Sequence, residues 1–138
     1  HYFSKHLIFS IIAILLMFFI SYLKTSFLKK IILPIFAISL VMLIMVPFIG
    51  IEIKGSKRWL DLFFFRLQPV EIIKPFFVLI TASLICRGKE KTSNYSYFLS
   101  LIILSIILIL LLNQPDIGQS ILLITTWISI IFISGIEF

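Results

Sequence analysis

The sequence has little charge: only 13% of its 138 residues are Asp, Glu, Lys or Arg, whereas 61% are hydrophobic. A water-soluble domain of this size needs a polar surface over its whole exterior. This composition leaves too few polar residues to build one, so the exterior must face lipid. The scarcity of charge therefore excludes a soluble globular fold and indicates an integral membrane protein.

Residues that commonly form disulfides or bind metals are also scarce. The single cysteine, Cys86, has no partner for an internal disulfide, and a site made of several thiolates is excluded. The two histidines, His1 and His6, stand alone near the N-terminus, which argues against a histidine metal site. Glycine-rich phosphate loops and Ser–His–Asp arrangements are missing as well. We therefore expect no metal and no cofactor within this sequence.

Acidic residues are outnumbered by basic ones, 6 against 12, which gives a net charge of +6. In a soluble protein this excess of basic residues would suggest nucleic-acid binding. Here the basic residues lie in short segments beside apolar runs, where anionic lipid headgroups account for them. No basic patch is interleaved with exposed aromatic residues. We therefore expect no nucleic-acid partner.

Long apolar runs are what the sequence does contain. A helix needs about 20 mostly apolar residues to cross a hydrocarbon core ~30 Å thick, and backbone polar groups in lipid must bond within their own segment. The runs therefore predict an all-α fold, a polytopic transmembrane helix bundle with about five spanning helices. The helices are expected at residues 7–23, 31–51, 69–86, 95–112 and 115–136. Pro34 and Pro47 are tolerable in the second helix if neighbouring groups satisfy the carbonyls that they free.

The count of Lys and Arg in short loops predicts the orientation in the membrane. Segments 24–30 and 87–91 lie on one side and carry six basic residues, whereas the other side carries five. We expect the first two segments to be cytoplasmic. The longest polar loop, residues 52–68, is then expected on the extracytoplasmic side.

The first of three polar motifs lies in that loop and reads Gly-Ser-Lys-Arg-Trp from Gly55 to Trp59. Lys57 and Arg58 are adjacent cations, and Trp59 supplies an amphipathic ring suited to the headgroup level. Arg58 can bind a phosphate bidentately. The motif could therefore hold a lipid-linked pyrophosphate at the membrane surface; the alternative is an interfacial loop with an aromatic anchor.

The second motif is Gln68-Pro69-Val70-Glu71, followed by Lys74. Pro69 suits the first helical position, which would make Gln68 the cap and Glu71 the third helical residue. Glu71 and Lys74 are three residues apart and share a helix face. Ionisable residues inside a spanning segment are functional candidates. A structural ion pair near a helix end is the alternative.

The third motif spans residues 113–119 and reads Asn-Gln-Pro-Asp-Ile-Gly-Gln. Its four polar residues after the fourth apolar run are more than a tight turn needs, and Pro115 is expected where a helix begins. Asp116 could cap that helix, bind a cation or line a cavity. Gly118 would allow a close approach between helices. A capping role alone is the alternative.

In this order and spacing, the motifs resemble those of the SEDS (shape, elongation, division and sporulation) family, whose members include FtsW and RodA. The family pattern is a Gly-x-x-Arg-Trp loop, then Gln-Pro-Ser-Glu followed by Lys, then Gln-Pro-Asp-x-Gly. The one departure is Val70 where serine is usual, which removes a hydroxyl but no charge. The resemblance covers essentially the whole chain. Residues 117–119 and 125–135 look more like FtsW than like RodA.

This resemblance implies a multi-pass peptidoglycan glycosyltransferase of the bacterial inner (cytoplasmic) membrane. Such a protein polymerises lipid II, the undecaprenyl-pyrophosphate-linked disaccharide peptide, in cell division or elongation. It works beside a class B penicillin-binding protein and other division or elongation proteins. Family members have about ten spanning helices, and this chain is expected to be a fragment that matches the second to the sixth.

The resemblance also implies which residues contact substrate and where catalysis occurs. The essential catalytic aspartate of the family is expected in a later loop beyond residue 138, so the catalytic residue is unknown here and the fragment alone is expected to be inactive. A divalent cation is possible for the full-length protein. The substrate-binding candidates are Lys57, Arg58, Trp59, Gln68, Glu71, Lys74, Gln114 and Asp116.

Two other functions stay open at this point. One is a transporter (flippase) that moves lipid II across the bilayer, for which Glu71 and Lys74 inside a spanning helix would suit a polar path. The other is a membrane scaffold whose helices dock partners of the division machinery.

Overall fold

The computed structural model describes residues 2–53, 55–62, 66–91 and 94–135. The chain divides into two compact units, His1–Ile31 and Ile32–Phe138. Three short strands lie between the second and third helices. In chain order the elements are α1 (Tyr2–Ser21), α2 (Thr25–Ile49), β1 (Ile51–Ile53), β2 (Ser56–Asp61), β3 (Arg66–Leu67), α3 (Pro69–Lys91), α4 (Tyr95–Asn113) and α5 (Ile117–Ile133).

The prediction of an α-helical membrane protein with five helices is confirmed. Within the described residues, three segments are long and apolar enough to span a membrane: Thr25–Ile49, Pro69–Cys86 and Tyr95–Asn113. Two further apolar helices are shorter, at His6–Ser21 and Ile117–Ile133. Large apolar side chains along α2, α4 and α5 are exposed, as expected of helices whose outer faces contact hydrocarbon.

Three helices extend past the bounds that hydrophobicity predicts. Helix α1 begins at Tyr2 rather than at residue 7, and α2 begins at Thr25 rather than at residue 31. Helix α3 runs through residues 87–91, which are expected to form a loop. Lys, Arg and Glu are good helix formers, and long cationic side chains can reach back to the interface. Helical hydrogen bonding therefore continues where the apolar segment stops. Residue 136, the predicted end of the last helix, lies outside the described residues.

The segment predicted as a polar loop, residues 52–68, instead contains a small antiparallel sheet in the order β1-β2-β3. Ile51 pairs with Trp59 and Ile53 with Ser56, with an irregularity in register just after Ile51. Gly55 has φ of 80° in the connection between β1 and β2. Short hairpin connections need this left-handed conformation, which glycine adopts without strain. Strands of two to six residues are too short for their alternation to stand out in the sequence.

One apolar cluster holds the second unit together and draws on α2, α3, α4 and α5. Its members recur every three or four positions, as Leu104, Ile107 and Leu111 do in α4, so each helix turns one face inward. Helices α3, α4 and α5 pack against one another pairwise. The cluster contains Phe36, Leu43, Val70, Ile73, Phe77, Ile80, Leu104, Ile107, Leu111 and Leu123.

Candidate substrate-binding site

The second motif forms the start of α3 as predicted. Pro69 is the first helical residue, where its missing N–H breaks no helical hydrogen bond. The Gln68 carbonyl oxygen accepts a hydrogen bond from the Glu71 backbone N–H at 3.0 Å, which makes Gln68 the cap. Glu71 lies in the first turn, where the positive end of the helix favours an acid. The motif thereby sets two polar side chains one turn apart.

The third motif starts α5 differently from the prediction. The helix begins at Ile117, so Pro115 lies in the turn before it and not at the first helical position. Asp116 occupies the cap position, but its carboxylate makes no capping hydrogen bond. Its backbone carbonyl instead accepts hydrogen bonds from the Ser120 N–H and hydroxyl, at 3.1 and 3.0 Å. The carboxylate is left to partners from other segments.

Those partners come from the other two motifs. The Nη1 atom of Arg58 lies 3.6 Å from Asp116 Oδ1, and Gln68 Nε2 donates to Asp116 Oδ2 at 3.4 Å. The Asp116 side chain is only 8% exposed. A cation and an amide donor therefore compensate the loss of hydration of this carboxylate. We call Arg58, Gln68 and Asp116 the Arg58 cluster.

Arg58 also binds the connection between α4 and α5 directly. Its Nε donates to the Gln114 carbonyl at 3.3 Å, and its Nη2 donates to the Pro115 carbonyl at 2.6 Å. Cations near the C-terminal end of a helix are favourable because the last carbonyls lack helical donors. Arg58 thus uses all three of its nitrogens in contacts within this chain, which leaves fewer N–H donors for the phosphate that the sequence predicts it to bind.

A second polar group lies one turn further along α3 and α5. Lys74 Nζ is 2.6 Å from Glu71 Oε2, which confirms the predicted pairing. Gln119 of α5 bridges the pair: its Nε2 donates to Glu71 Oε1 at 3.1 Å, and its Oε1 accepts from Lys74 Nζ at 3.0 Å. We call Glu71, Lys74 and Gln119 the Glu71 cluster.

Gln119 is absent from the predicted site, although the sequence carries a signal for it. It follows Asp116 by three residues at a helix start, so both side chains share a face. The same spacing separates Gln68 from Glu71. Two pairs of polar side chains, Gln68 with Asp116 and Glu71 with Gln119, therefore connect the starts of α3 and α5.

Gln114 satisfies a backbone group through its side-chain amide, and it also lines a cavity together with Lys57. It is 4% exposed, and its Nε2 donates to the Leu43 carbonyl at 3.1 Å. Pro47, four residues after Leu43, has no N–H to bond that carbonyl. The expectation that neighbours satisfy a carbonyl freed by proline is confirmed at this position.

Lys57 and Trp59 lie on β2 but outside both clusters. Lys57 is exposed and pairs in register with Glu52, and Trp59 is half-buried opposite Ile51. Lys57 lines a cavity of about 280 Å³ between the β1–β2 hairpin and the end of α4. Among the described residues, the Lys57 side chain has no hydrogen bond or ion pair, so its ammonium is available to a ligand.

The Glu71 cluster offers a ligand both hydrogen-bond donors and hydrogen-bond acceptors. The Lys74 ammonium carries three donors, of which Glu71 and Gln119 take two. The Glu71 side chain is 51% exposed and keeps free acceptor capacity. Such a surface can bind hydroxyl and amide groups. Over the described part of the chain, no three His, Cys, Asp or Glu side chains come close enough to hold a metal.

The fold and the site together define a class: a multi-pass membrane protein in which three polar motifs meet where α3 and α5 begin. The model of the FtsW/RodA/SpoVE family, described as cell cycle protein, matches residues 1–138. The chain belongs to this family.

Relatives similar to this chain carry FtsW names. A probable peptidoglycan glycosyltransferase FtsW from Marinomonas mediterranea is 32% identical over 136 residues, which are 96% of this chain and 34% of that protein. The protein of the same name from Buchnera aphidicola subsp. Baizongia pistaciae is 39% identical over 103 residues, 73% of this chain and 27% of its own length. The chain thus spans about a third or less of these relatives. Their names are consistent with the preference for FtsW over RodA.

Solved structures share the fold. The crystal structure of the Thermus thermophilus rod shape determining protein RodA has a TM-score of 0.79 and 27% identity, and the match covers 90% of this chain and 41% of that one. A chain from a structure titled "Structural coordination of polymerization and crosslinking by a peptidoglycan synthase complex" has a TM-score of 0.78 and 28% identity, with 88% and 36% coverage.

Proposed function

We propose that the full-length protein is a peptidoglycan glycosyltransferase of the bacterial inner membrane that polymerises lipid II during cell division. One observation carries the proposal. The Arg58 cluster and the Glu71 cluster join three motifs, far apart in sequence, into one polar site at the start of α3 and α5. Family membership and the names of the FtsW relatives support it.

Within this site we propose direct substrate contacts for four residues. Lys57 has an unpartnered ammonium and suits a phosphate of the lipid-linked pyrophosphate. Trp59 suits the headgroup level beside it. Glu71 and Lys74 offer an acceptor and a donor for the hydroxyl and amide groups of the sugars.

The other four candidates make contacts within the protein and hold the site in position. Arg58, Gln68 and Asp116 fix β2 and the start of α3 against the connection between α4 and α5. The Gln114 amide donates a hydrogen bond to the Leu43 carbonyl, which Pro47 leaves without a helical donor. We propose that their substitution acts on substrate binding through the position of the four contact residues.

Glycosyl transfer needs a carboxylate that deprotonates the acceptor hydroxyl and cations that stabilise the departing pyrophosphate. This chain supplies cations. Its two site carboxylates are engaged, Asp116 with Arg58 and Glu71 with Lys74. We therefore propose that the general base lies outside the residues described here and assign no catalytic residue among them.

A class B penicillin-binding protein is the proposed partner, together with other division or elongation proteins. The support is the likeness to a chain whose structure is titled a peptidoglycan synthase complex.

Polymerisation of purified lipid II by the full-length protein in detergent tests the proposal. We expect glycan polymer from the wild type and at least a tenfold lower rate from Lys74→Met, because the ammonium of the proposed contact pair is removed. Thr126→Val is the matched control, since the Thr126 hydroxyl bonds only its own helix at Leu122 O. No polymer from folded wild-type protein would overturn the proposal.

A lipid II transporter is the second candidate, and the Glu71–Lys74 pair favours it because both residues lie inside α3, a candidate span. Movement of labelled lipid II across sealed vesicles, without polymer formation, would support the transporter. If the folded protein neither moves lipid II nor forms polymer, the scaffold role is the function that remains.

A further inference from the structure

We propose that Gln119 is a positioning residue that fixes the Glu71–Lys74 pair in the geometry that binds substrate. The inference rests on the proposed function for its kinetic consequence, but its structural part can be tested without activity. Gln119 is not among the predicted substrate-binding residues, and it is the residue of α5 that touches both charges of the pair.

An ion pair three residues apart on one helix is weak by itself. Exposed pairs of this kind stabilise a helix only slightly, and their long side chains readily change rotamer. Glu71 is 51% exposed, so little else restricts its carboxylate. Contact with Lys74 alone would leave the pair free to move relative to α5.

The carboxamide of Gln119 removes that freedom because it serves both charges at once. One end donates to Glu71 Oε1 at 3.1 Å, and the other accepts from Lys74 Nζ at 3.0 Å. A ring of three side chains results, closed by the 2.6 Å contact between the two charges. Since Gln119 belongs to α5, the ring also fixes the pair relative to a second helix.

The amide is suited to this role because it carries no charge. A carboxylate at position 119 would repel Glu71, and an ammonium would repel Lys74. An amide satisfies both and leaves one ammonium N–H and part of the carboxylate to the ligand. The surface presented to substrate is then one donor beside one acceptor, at a fixed separation.

The structural part is tested with thermal unfolding midpoints of the full-length protein in detergent. Glu71→Gln, Lys74→Met and the double variant are each made in the wild-type background and in the Gln119→Met background, where the side chain keeps a similar length without polar atoms. We expect the coupling between Glu71 and Lys74 to fall by more than half when Gln119 is replaced. Equal coupling in both backgrounds would overturn the proposal.

The kinetic part uses lipid II polymerisation. Gln119→Met is expected to raise KM for lipid II about tenfold, with kcat changed less than twofold, because a binding geometry is lost and not a reacting group. A purely structural role would lower the amount of folded protein and leave KM unchanged, which would contradict the proposal. Thr126→Val, on the same helix and away from the pair, should match the wild type.

The two proposals fail in different ways. If the folded wild type makes no polymer, the proposed function fails, and the coupling measurement decides the role of Gln119 by itself. If polymer forms and Gln119→Met changes neither KM nor the coupling, the Gln119 proposal fails while the proposed function stands.

Discussion

Arg58 shows how one side chain can connect separate parts of this chain. Its guanidinium reaches from β2 to residues more than fifty positions later and binds two carbonyls and one carboxylate there. An arginine can do this because its donors form a fixed fork, whereas a lysine has a single nitrogen. Arg58, which the sequence predicts to bind a phosphate, therefore holds the third motif against β2.

We expect Arg58→Lys to lower the free energy of unfolding by about 1–3 kcal/mol, because acceptors in a poorly hydrated site lose their donors. The thermal unfolding midpoint of the detergent-purified full-length protein measures this. Arg66→Ala, an exposed cation on the same sheet, is the control and should change the midpoint little. Equal midpoints for Arg58→Lys and wild type would show that the contacts of the Arg58 guanidinium do not stabilise the fold.

A second expectation concerns the carbonyl of Leu43. Gln114→Leu should destabilise the wild type by about 1–3 kcal/mol, because the carbonyl then has no donor. In the Pro47→Ala background the same change should have a much smaller effect, since the alanine N–H restores the helical hydrogen bond. A double-mutant cycle of unfolding midpoints measures the difference. Additive effects would show that the amide and the proline are unrelated.

The sequence could identify the polar residues but not their partners. Arg58, Gln68 and Asp116 were predicted to belong to a site, yet the contacts among them span 48 to 58 residues of chain and depend on how the helices pack. Local spacing did predict the contact between Glu71 and Lys74, because helix geometry alone brings residues three apart together. Long-range contacts have no such local rule.

Among the elements, helices α3 and α5 matter most because both begin at the site. Acids lie at or near both starts, where the backbone N–H groups lack helical acceptors and favour negative charge. The cations Arg58 and Lys74 then neutralise these acids within a small region. Each of the two clusters is thus nearly neutral, and Lys57 of β2 supplies a further cation whose side chain has no ion-pair partner among the described residues.

Because Glu71 and Lys74 lie on one helix and pair directly, we expect them to depend on one another. Removing one partner of a fully buried pair costs about 3–5 kcal/mol, and the 51% exposure of Glu71 lowers the expected effect well below that range. Glu71→Gln with Lys74→Met should recover expression that either single change reduces. Western blots of membrane fractions measure the recovery, and independent, additive losses would refute the pairing.

At the element level, hydrophobic runs predicted the number and order of the helices correctly. They failed at the ends of α1, α2 and α3, because apolar length measures the membrane-embedded part of a helix and not its hydrogen-bonded length. They also missed β1 to β3, in which the turn at Gly55 joins β1 to β2 and β2 packs against α3. A short strand leaves almost no periodic signal.

For the whole molecule, the orientation in the membrane is a prediction that labelling can test. Asp61→Cys, in a background without other cysteines, should react with an impermeant maleimide in intact spheroplasts, because the exposed Asp61 lies on β2 in the segment predicted to be outside. In the wild-type chain, Cys86 is also exposed, but it lies toward the other end of α3 and should react only after lysis. The reverse pattern would invert the topology.

Binding of lipid II to the purified full-length protein tests the central claim, that the three motifs form one substrate site. Titration with fluorescent lipid II should give dissociation constants at least tenfold higher for Lys57→Ala and for Lys74→Met than for wild type. Ser129→Ala, on the exposed side of α5 with its hydroxyl bonded to its own helix, should bind as wild type. Wild-type affinity in both lysine variants, with the protein folded, would contradict the account.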